Sequence, residues 1–279
     1  MNQKTGLQRN LSDKYYTSKE IVKKCMSSFT KLINVEDDDL CIEPSAGNGS
    51  FINEIKKTFN KYYFYDIYPE NELITKLDYL KFEIKDLNQN CFKKIHVIGN
   101  PPFGRQSSLA IKFIKKSSQF CDSISFILPK SFKKDSLKKH FPLNFHLIEE
   151  YELPENSFEV NKLKYNVPCV FQIWIKKNTL RKLPIKLKPI EFKFVKKNVK
   201  HDLSFRRVGV YAGKIDTFTV DKSPQSHYFI KFEKKINDIF LKELSKINYK
   251  SKNNTVGPKS ISKQELIKEF NNLIKNYNF

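Results

Sequence analysis

The chain has 279 residues, 39% of them hydrophobic, which is enough for one sizeable α/β domain with a smaller appendage and leaves no stretch resembling a membrane span. Its 51 Lys and Arg against 30 Asp and Glu leave a formal charge of +21, a field that attracts polyanions and makes nucleic acid the expected partner. Cys25, Cys41, Cys91, Cys121 and Cys169 are scattered without metal-ligand spacing, which excludes a zinc site and a disulfide framework, and no metal is expected.

The N-terminus, Met1 to Lys14, is polar and lacks the apolar core of a secretory signal, so an intracellular protein, cytoplasmic or nuclear, is expected. Tyr16-Thr17 then precedes Ile21, Val22, Cys25, Met26, Phe29, Leu32 and Ile33, whose spacing predicts a helix starting near Ser18. Asp39 to Phe51 reads as a short apolar strand ending at Glu43-Pro44-Ser45, a small-residue turn with Gly47 and Gly49, and a helix from Ile52 to Phe59. Glycines there let backbone approach a ligand, and a helix N-terminus favours a carboxylate. Ile52 fills the place of the third glycine of G-x-G-x-x-G, which disfavours a pyrophosphate-binding site.

Tyr62 to Tyr65 predicts a second strand, with Asp66-Ile67 at its tip, where a carboxylate can grip a ribose diol or simply open a turn. Ile74 to Leu80 follows and contains Asp78-Tyr79. Ile95 to Ile98 predicts a buried strand that delivers Gly99-Asn100-Pro101-Pro102-Phe103-Gly104.

That last loop suits alkylation of an exocyclic amine on a planar base, a weak nucleophile whose lone pair is delocalised into the ring. The Asn100 side-chain carbonyl and the Pro101 backbone carbonyl can accept the two amino hydrogens and turn the nitrogen toward attack, which is preorganised electrostatic stabilisation. Pro101 and Pro102 stiffen the loop and remove competing N–H donors. Phe103 supplies a face for the base.

Further on, Leu109, Ala110, Phe113 and Ile114 mark a helical face. Ile124 to Leu128 predicts a fifth strand, Lys133 to His140 a basic helix, and Phe145 to Ile148 and Val167 to Ile175 two more strands. From Lys176 to Lys197, basic and apolar residues alternate, as in a strand pair with one basic face. His201 to Val220 reads as a small β element contacting substrate backbone, and Phe232 to Ile247 and Ile261 to Tyr277 as helices. The expected division is a catalytic domain at 1–180 and a basic accessory region at 181–279 that contacts nucleic acid.

Asn100-Pro101-Pro102-Phe103 resembles the catalytic motif of the N6-adenine class of S-adenosylmethionine-dependent methyltransferases, and over residues 14 to 176 the motif order resembles their gamma-type arrangement. The resemblance implies a Rossmann-like class I methyltransferase fold, with a mostly parallel seven-stranded sheet whose last strand is antiparallel, and S-adenosyl-L-methionine as cofactor. It implies that Tyr16 and Thr17 close over the cofactor's methionine end, that Glu43, Pro44, Ser45, Gly47 and Gly49 form its first motif, and that Asp66 with Ile67, Asp78 with Tyr79, and Asn100 complete the cofactor site. Phe158 is the aromatic expected against the other face of the target base, with core packing as its alternative. The implied reaction is methyl transfer to adenine N6 in DNA or RNA. A protein-glutamine methyltransferase, whose relatives carry Asn-Pro-Pro-Tyr, methylation of guanine or cytosine amino groups, and a non-catalytic nucleic-acid-binding subunit are the alternatives.

Overall fold

A computed structural model describes residues 15–87, 91–160 and 163–277, so the signal-free reading of Met1 to Lys14 lies outside the described residues. The chain divides into two units, the first closing at Leu183 and the second opening at Pro184.

In the first unit, seven strands form one sheet: β1 (Leu40–Glu43), β2 (Lys61–Asp66), β3 (Thr75–Lys76), β4 (Ile95–Gly99), β5 (Ser123–Pro129), β6 (Phe145–Glu152) and β7 (Cys169–Lys176), in the order β3-β2-β1-β4-β5-β7-β6. β1 to β5 run parallel, and β7 lies antiparallel between β5 and β6. The expected sheet is therefore present, last strand included. β1 and β5 are buried along their whole length, which is why they read as continuous apolar runs rather than alternating ones. The strand order reverses between β1 and β4, and the crevice beyond the carboxyl ends of such neighbours is where open α/β sheets bind ligands.

Helix α1 (Lys19–Leu32) buries Ile21, Val22, Cys25, Met26 and Phe29, the stripe that its periodicity marks. α2 (Ile52–Thr58) and α3 (Ser108–Ser117) follow the two loops of interest. The segment at Ile74 to Leu80 yields only the two-residue β3 before a 3-10 turn at Tyr79–Lys81, and the basic helix expected over Lys133 to His140 is a single turn at Asp135–Lys138. Under β6 and β7, Trp174 stacks on Phe141 with ring centroids 4.0 Å apart and donates to the buried Gln172 side chain at 3.0 Å. Arg181, read from sequence as part of a basic face, instead donates to the carbonyls of Lys138, Phe141 and Phe145 and lies over the Trp174 ring, because three carbonyls converge there.

The second unit is an antiparallel sheet of β8 (Phe192–Val195), β9 (Leu203–Arg206), β10 (Ile215–Asp216) and β11 (His227–Phe232), ordered β8-β11-β9-β10 and backed by α4 (Asp238–Lys246) and α5 (Lys263–Asn276). Asn237 and Ser262 cap the two helices through their side chains. Phe192, Phe205, Ile230 and Phe232 meet Phe240, Leu244 and Phe270 in a core of their own. The strand pair expected before Lys197 reduces to β8. Upstream of it the backbone of Leu187 is held by Gln264, and that of Lys188 and Ile190 by Asn271, so side-chain amides of α5 take the place of a partner strand. Among the described residues no helix is long and apolar enough to cross a membrane.

Candidate functional site

The tips of β1, β2 and β4 bring three stretches together. β4 ends at Gly99, and Asn100 follows with its side chain turned toward the N-terminal segment, where its Nδ2 donates to the Tyr15 carbonyl at 3.1 Å and to the Thr17 hydroxyl at 3.3 Å. A carbonyl can only accept, so this pairing fixes the amide's orientation. The Asn100 Oδ1 is consequently left over: it is buried and has no hydrogen-bond partner among the described residues. A buried acceptor without a donor costs roughly 1–3 kcal/mol and is rare in a folded protein unless something is to fill it.

The loop is tied to the first motif by the Ser45 hydroxyl, which donates to the Asn100 backbone carbonyl at 3.1 Å. Pro101 is buried, and Pro102 and Phe103 are half-buried, so the Phe103 ring keeps an accessible part. Just beyond it Gln106 and Ser107 hold φ of 52° and 62°. Two consecutive non-glycine residues in the left-handed region store strain of a kind that clusters at ligand sites.

At the turn after β1, Gly47 has φ 55°, and a Cβ there would stand 3.2 Å from the Tyr16 ring. Gly49 has φ 86°, a conformation that favours glycine, and a Cβ there would also meet the Ile52 Cδ1 at 2.7 Å, so glycine at 49 accommodates the Ile52 that stands in the third-glycine place. The Gly47 N–H donates to the Asp66 carboxylate at 2.8 Å, and the Tyr68 N–H to its other oxygen at 2.8 Å. Each carboxylate oxygen has the lone pairs to accept a second bond, so turn-closing and diol-gripping are compatible roles for Asp66. Ile67 beside it is 51% exposed, an apolar surface at the crevice. Glu43 is 2% exposed, and its Oε2 is the second orphaned acceptor of the crevice. Burial, and then the neighbouring Asp66, push its carboxyl well above the usual range. The Tyr16 hydroxyl donates to Glu70 at 2.5 Å, and burial together with this bond holds it protonated.

No protein-family model matches the chain. Ribosomal RNA small subunit methyltransferase A of Francisella tularensis subsp. novicida is 27% identical over 143 residues, which cover 47% of this chain and 53% of that protein, and the enzyme of subsp. tularensis is 26% identical over the same span. The chain thus spans about half the length of the curated relatives it matches. Among solved structures, the 23S rRNA methyltransferase ErmE aligns at 12% identity over 60% of this chain and 71% of that one, with a TM-score of 0.44. A type I restriction-modification methyltransferase subunit from Streptococcus thermophilus aligns at 14% identity over 59% and 45%, with a TM-score of 0.43. The order and directions of the seven strands decide the fold. It is that of a class I methyltransferase.

Within this methyltransferase fold, contacts at the carboxyl ends of β1, β2 and β4 join Tyr16 to Gly47, Gly47 to Asp66, Ser45 to Asn100 and Asn100 to Thr17, with Glu43, Pro44, Gly49, Ile67 and the Pro101-Pro102-Phe103 loop beside them in sequence. Asp78 caps the 3-10 turn, accepting from the Leu80 N–H at 3.1 Å with Lys81 4.0 Å away. Tyr79 does not line the crevice: it is 1% exposed, stacks between Phe82 and Phe113, and shares a 2.8 Å hydrogen bond with Ser117. A ring so placed is core, and adjacency to Asp78 in sequence misled because a 3-10 turn begins between them. Phe158 is fully buried, opposite Thr17 in a small antiparallel sheet of Tyr16–Thr17, Phe158–Val160 and Leu163–Tyr165, and edge-on to Tyr15. With no exposed face it packs as core and offers nothing for a base to stack on.

Ser18 holds the N-cap position of α1, and Thr17 accepts from Asn100. Sequence reasoning missed Tyr15, whose carbonyl orients Asn100 and whose ring stacks on Tyr165 at 5.3 Å, and Glu70, the Tyr16 partner. The aromatic pair Tyr15-Tyr16 was a visible signal for the first. Nothing local distinguishes Glu70 from Glu72 two residues on.

Proposed function

We propose that the protein transfers a methyl group from S-adenosyl-L-methionine to the N6 amino group of adenine in nucleic acid. The observation that carries this reading is the orphaned Asn100 Oδ1, a fixed acceptor whose own amide is already spent on Tyr15 and Thr17. An exocyclic amine needs such an acceptor, because drawing on its hydrogens localises the lone pair as it attacks. The Pro101 carbonyl is the second acceptor of this scheme, and the half-buried Phe103 ring is the stacking face.

The crevice fits the cofactor. Gly47 and Gly49 keep the turn open to backbone approach, Glu43 offers an unpaired acceptor to an ammonium, Asp66 retains lone pairs for a ribose diol, and Ile67 presents apolar surface to the adenine ring. Tyr16 closes against Gly47, and Asp78 lies within the segment after β3 that would meet the adenine amino group. When bound, S-adenosylmethionine supplies an electrophilic methyl on a sulfonium. The chain's own groups orient the acceptor and hold its protons. Nucleic acid as the acceptor is supported by the charge of +21 and by the likeness to a ribosomal RNA methyltransferase over about half its length.

The test is incubation of the full chain with labelled cofactor and, separately, total RNA, DNA and protein, followed by nucleoside mass spectrometry. N6-methyladenosine or its deoxy counterpart is expected, and Asn100→Ala removes it while cofactor affinity stays within twofold. Label in the protein fraction alone, or loss of cofactor binding in Asn100→Ala, overturns the reading.

A further inference from the structure

The accessory unit has an open depression of its own, lined by Lys197, Lys200, His201, Thr219 and Val220 with no carboxylate among its lining residues. Two stretches wall it, and three bonds hold them. His201 Nδ1 donates to the Val199 carbonyl at 2.6 Å, Nε2 shares a hydrogen bond with the Thr219 hydroxyl at 2.8 Å, and Lys197 donates to the Val220 carbonyl at 2.8 Å. Edge-on packing of His201 against the buried Phe229, 4.9 Å between centroids, anchors this arrangement to β11.

The acids nearest in sequence are engaged elsewhere: beside His201, the Asp202 carboxylate accepts from the Phe232 N–H at 2.7 Å. Asp216 and Asp221 both pair with Lys222, at 3.1 and 3.0 Å, which lowers both carboxyls and cancels much of their charge. Val220, in this wall, is 75% exposed, and Phe218, adjoining the lining Thr219 in sequence, is 66% exposed. Across the unit, basic residues outnumber acidic ones by more than two to one.

A trough open to solvent, cationic, braced from behind and flanked by an exposed ring complements an unstacked base beside phosphates. A duplex hides its base faces and would leave the ring unused. We infer that this trough binds a single-stranded segment of nucleic acid, with a base stacked on Phe218 and flanking phosphates on Lys197 and Lys200. The inference rests on the proposed action on nucleic acid and adds where, and in what form, the strand is held.

The test uses the full chain and fluorescence anisotropy with labelled 12-nucleotide RNA and DNA single strands and a blunt duplex of equal length. Tighter binding of either single strand than of the duplex supports the inference and names the sugar. Phe218→Ala weakens single-strand binding about tenfold and leaves duplex binding unchanged, whereas Phe218→Tyr keeps it. Replacing Lys197 and Lys200 by Ser lowers the salt dependence by about 0.7 in logarithmic slope per lost contact. No preference for single strands, or unchanged affinity in Phe218→Ala with an unaltered melting curve, overturns it. Binding is read without cofactor, so variants that lose the strand while no methylated nucleoside is ever found sink the proposed reaction alone. Methylation that proceeds with KM unmoved by Phe218→Ala sinks this inference alone.

Discussion

Thr17 accepts a hydrogen bond from the Asn100 side-chain amide at 3.3 Å, across 83 residues of chain, and thereby decides which end of that amide faces the crevice. The Tyr15 carbonyl seconds it at 3.1 Å. Thr17→Val keeps the shape and removes the acceptor. The expected result is a fall in kcat of about fivefold, matching one hydrogen bond of about 1 kcal/mol, with cofactor affinity within twofold. Thr17→Ser should restore the rate, and steady-state kinetics beside calorimetric titration of the cofactor separates the two effects.

Tyr79 gives the complementary case, a residue that sequence placed in the cofactor site and the fold places in the core. Tyr79→Phe removes the hydroxyl bound to Ser117 and leaves that buried serine without its partner. A loss of about 1 kcal/mol in urea denaturation is expected, with cofactor affinity unchanged. A tenfold loss of cofactor affinity at unaltered stability would return Tyr79 to the site.

Glu43 is a buried carboxyl whose folded value lies above the unfolded one, because burial and then Asp66 disfavour its charge. Such a group contributes stability that is fully present below about pH 4.3 and is lost as pH rises through the folded value. Glu43→Gln should therefore match the parent near pH 4 and exceed it in urea midpoint at pH 8. An ammonium arriving beside Glu43 favours the charged form, so cofactor binding releases protons. Calorimetric enthalpies measured in buffers of different ionisation heat reveal this release, which Glu43→Gln abolishes.

His96 titrates with the opposite sign. It lies at the other end of the sheet, between Ser123 at 2.7 Å and Asp39 at 3.3 Å, with Phe29 and Phe59 against its ring. Burial holds it below the usual imidazole range, although Asp39 pulls upward. The unfolded chain takes up this proton near pH 6.5 and the folded chain only at lower pH, so the stability present above that value is lost as pH falls through the folded one. The melting temperature should drop from pH 7 to 5.5, and His96→Asn should flatten that slope.

Residues 40 to 129 were the most legible part of the chain. Continuous apolar runs such as Leu40 to Ile42 and Ile124 to Leu128 can be satisfied only by burial on both faces, and glycine, proline and asparagine at their ends mark the loops by local backbone chemistry. Weak signals failed where the answer lay far away in sequence. The alternation upstream of Phe192 looked like a strand pair, but a strand needs a partner, and Gln264 and Asn271 on α5 took that place.

By itself the sequence determined the sheet-forming runs, the glycine turn and the amide-proline loop, because each is a property of a few consecutive residues. Only the tertiary structure decided which way Asn100 points, that Phe158 and Tyr79 are core, and that Arg181 staples carbonyls instead of facing a polyanion. Those outcomes depend on which distant acceptor or cavity is within a few ångströms, and that distance exists only once the chain has closed on itself.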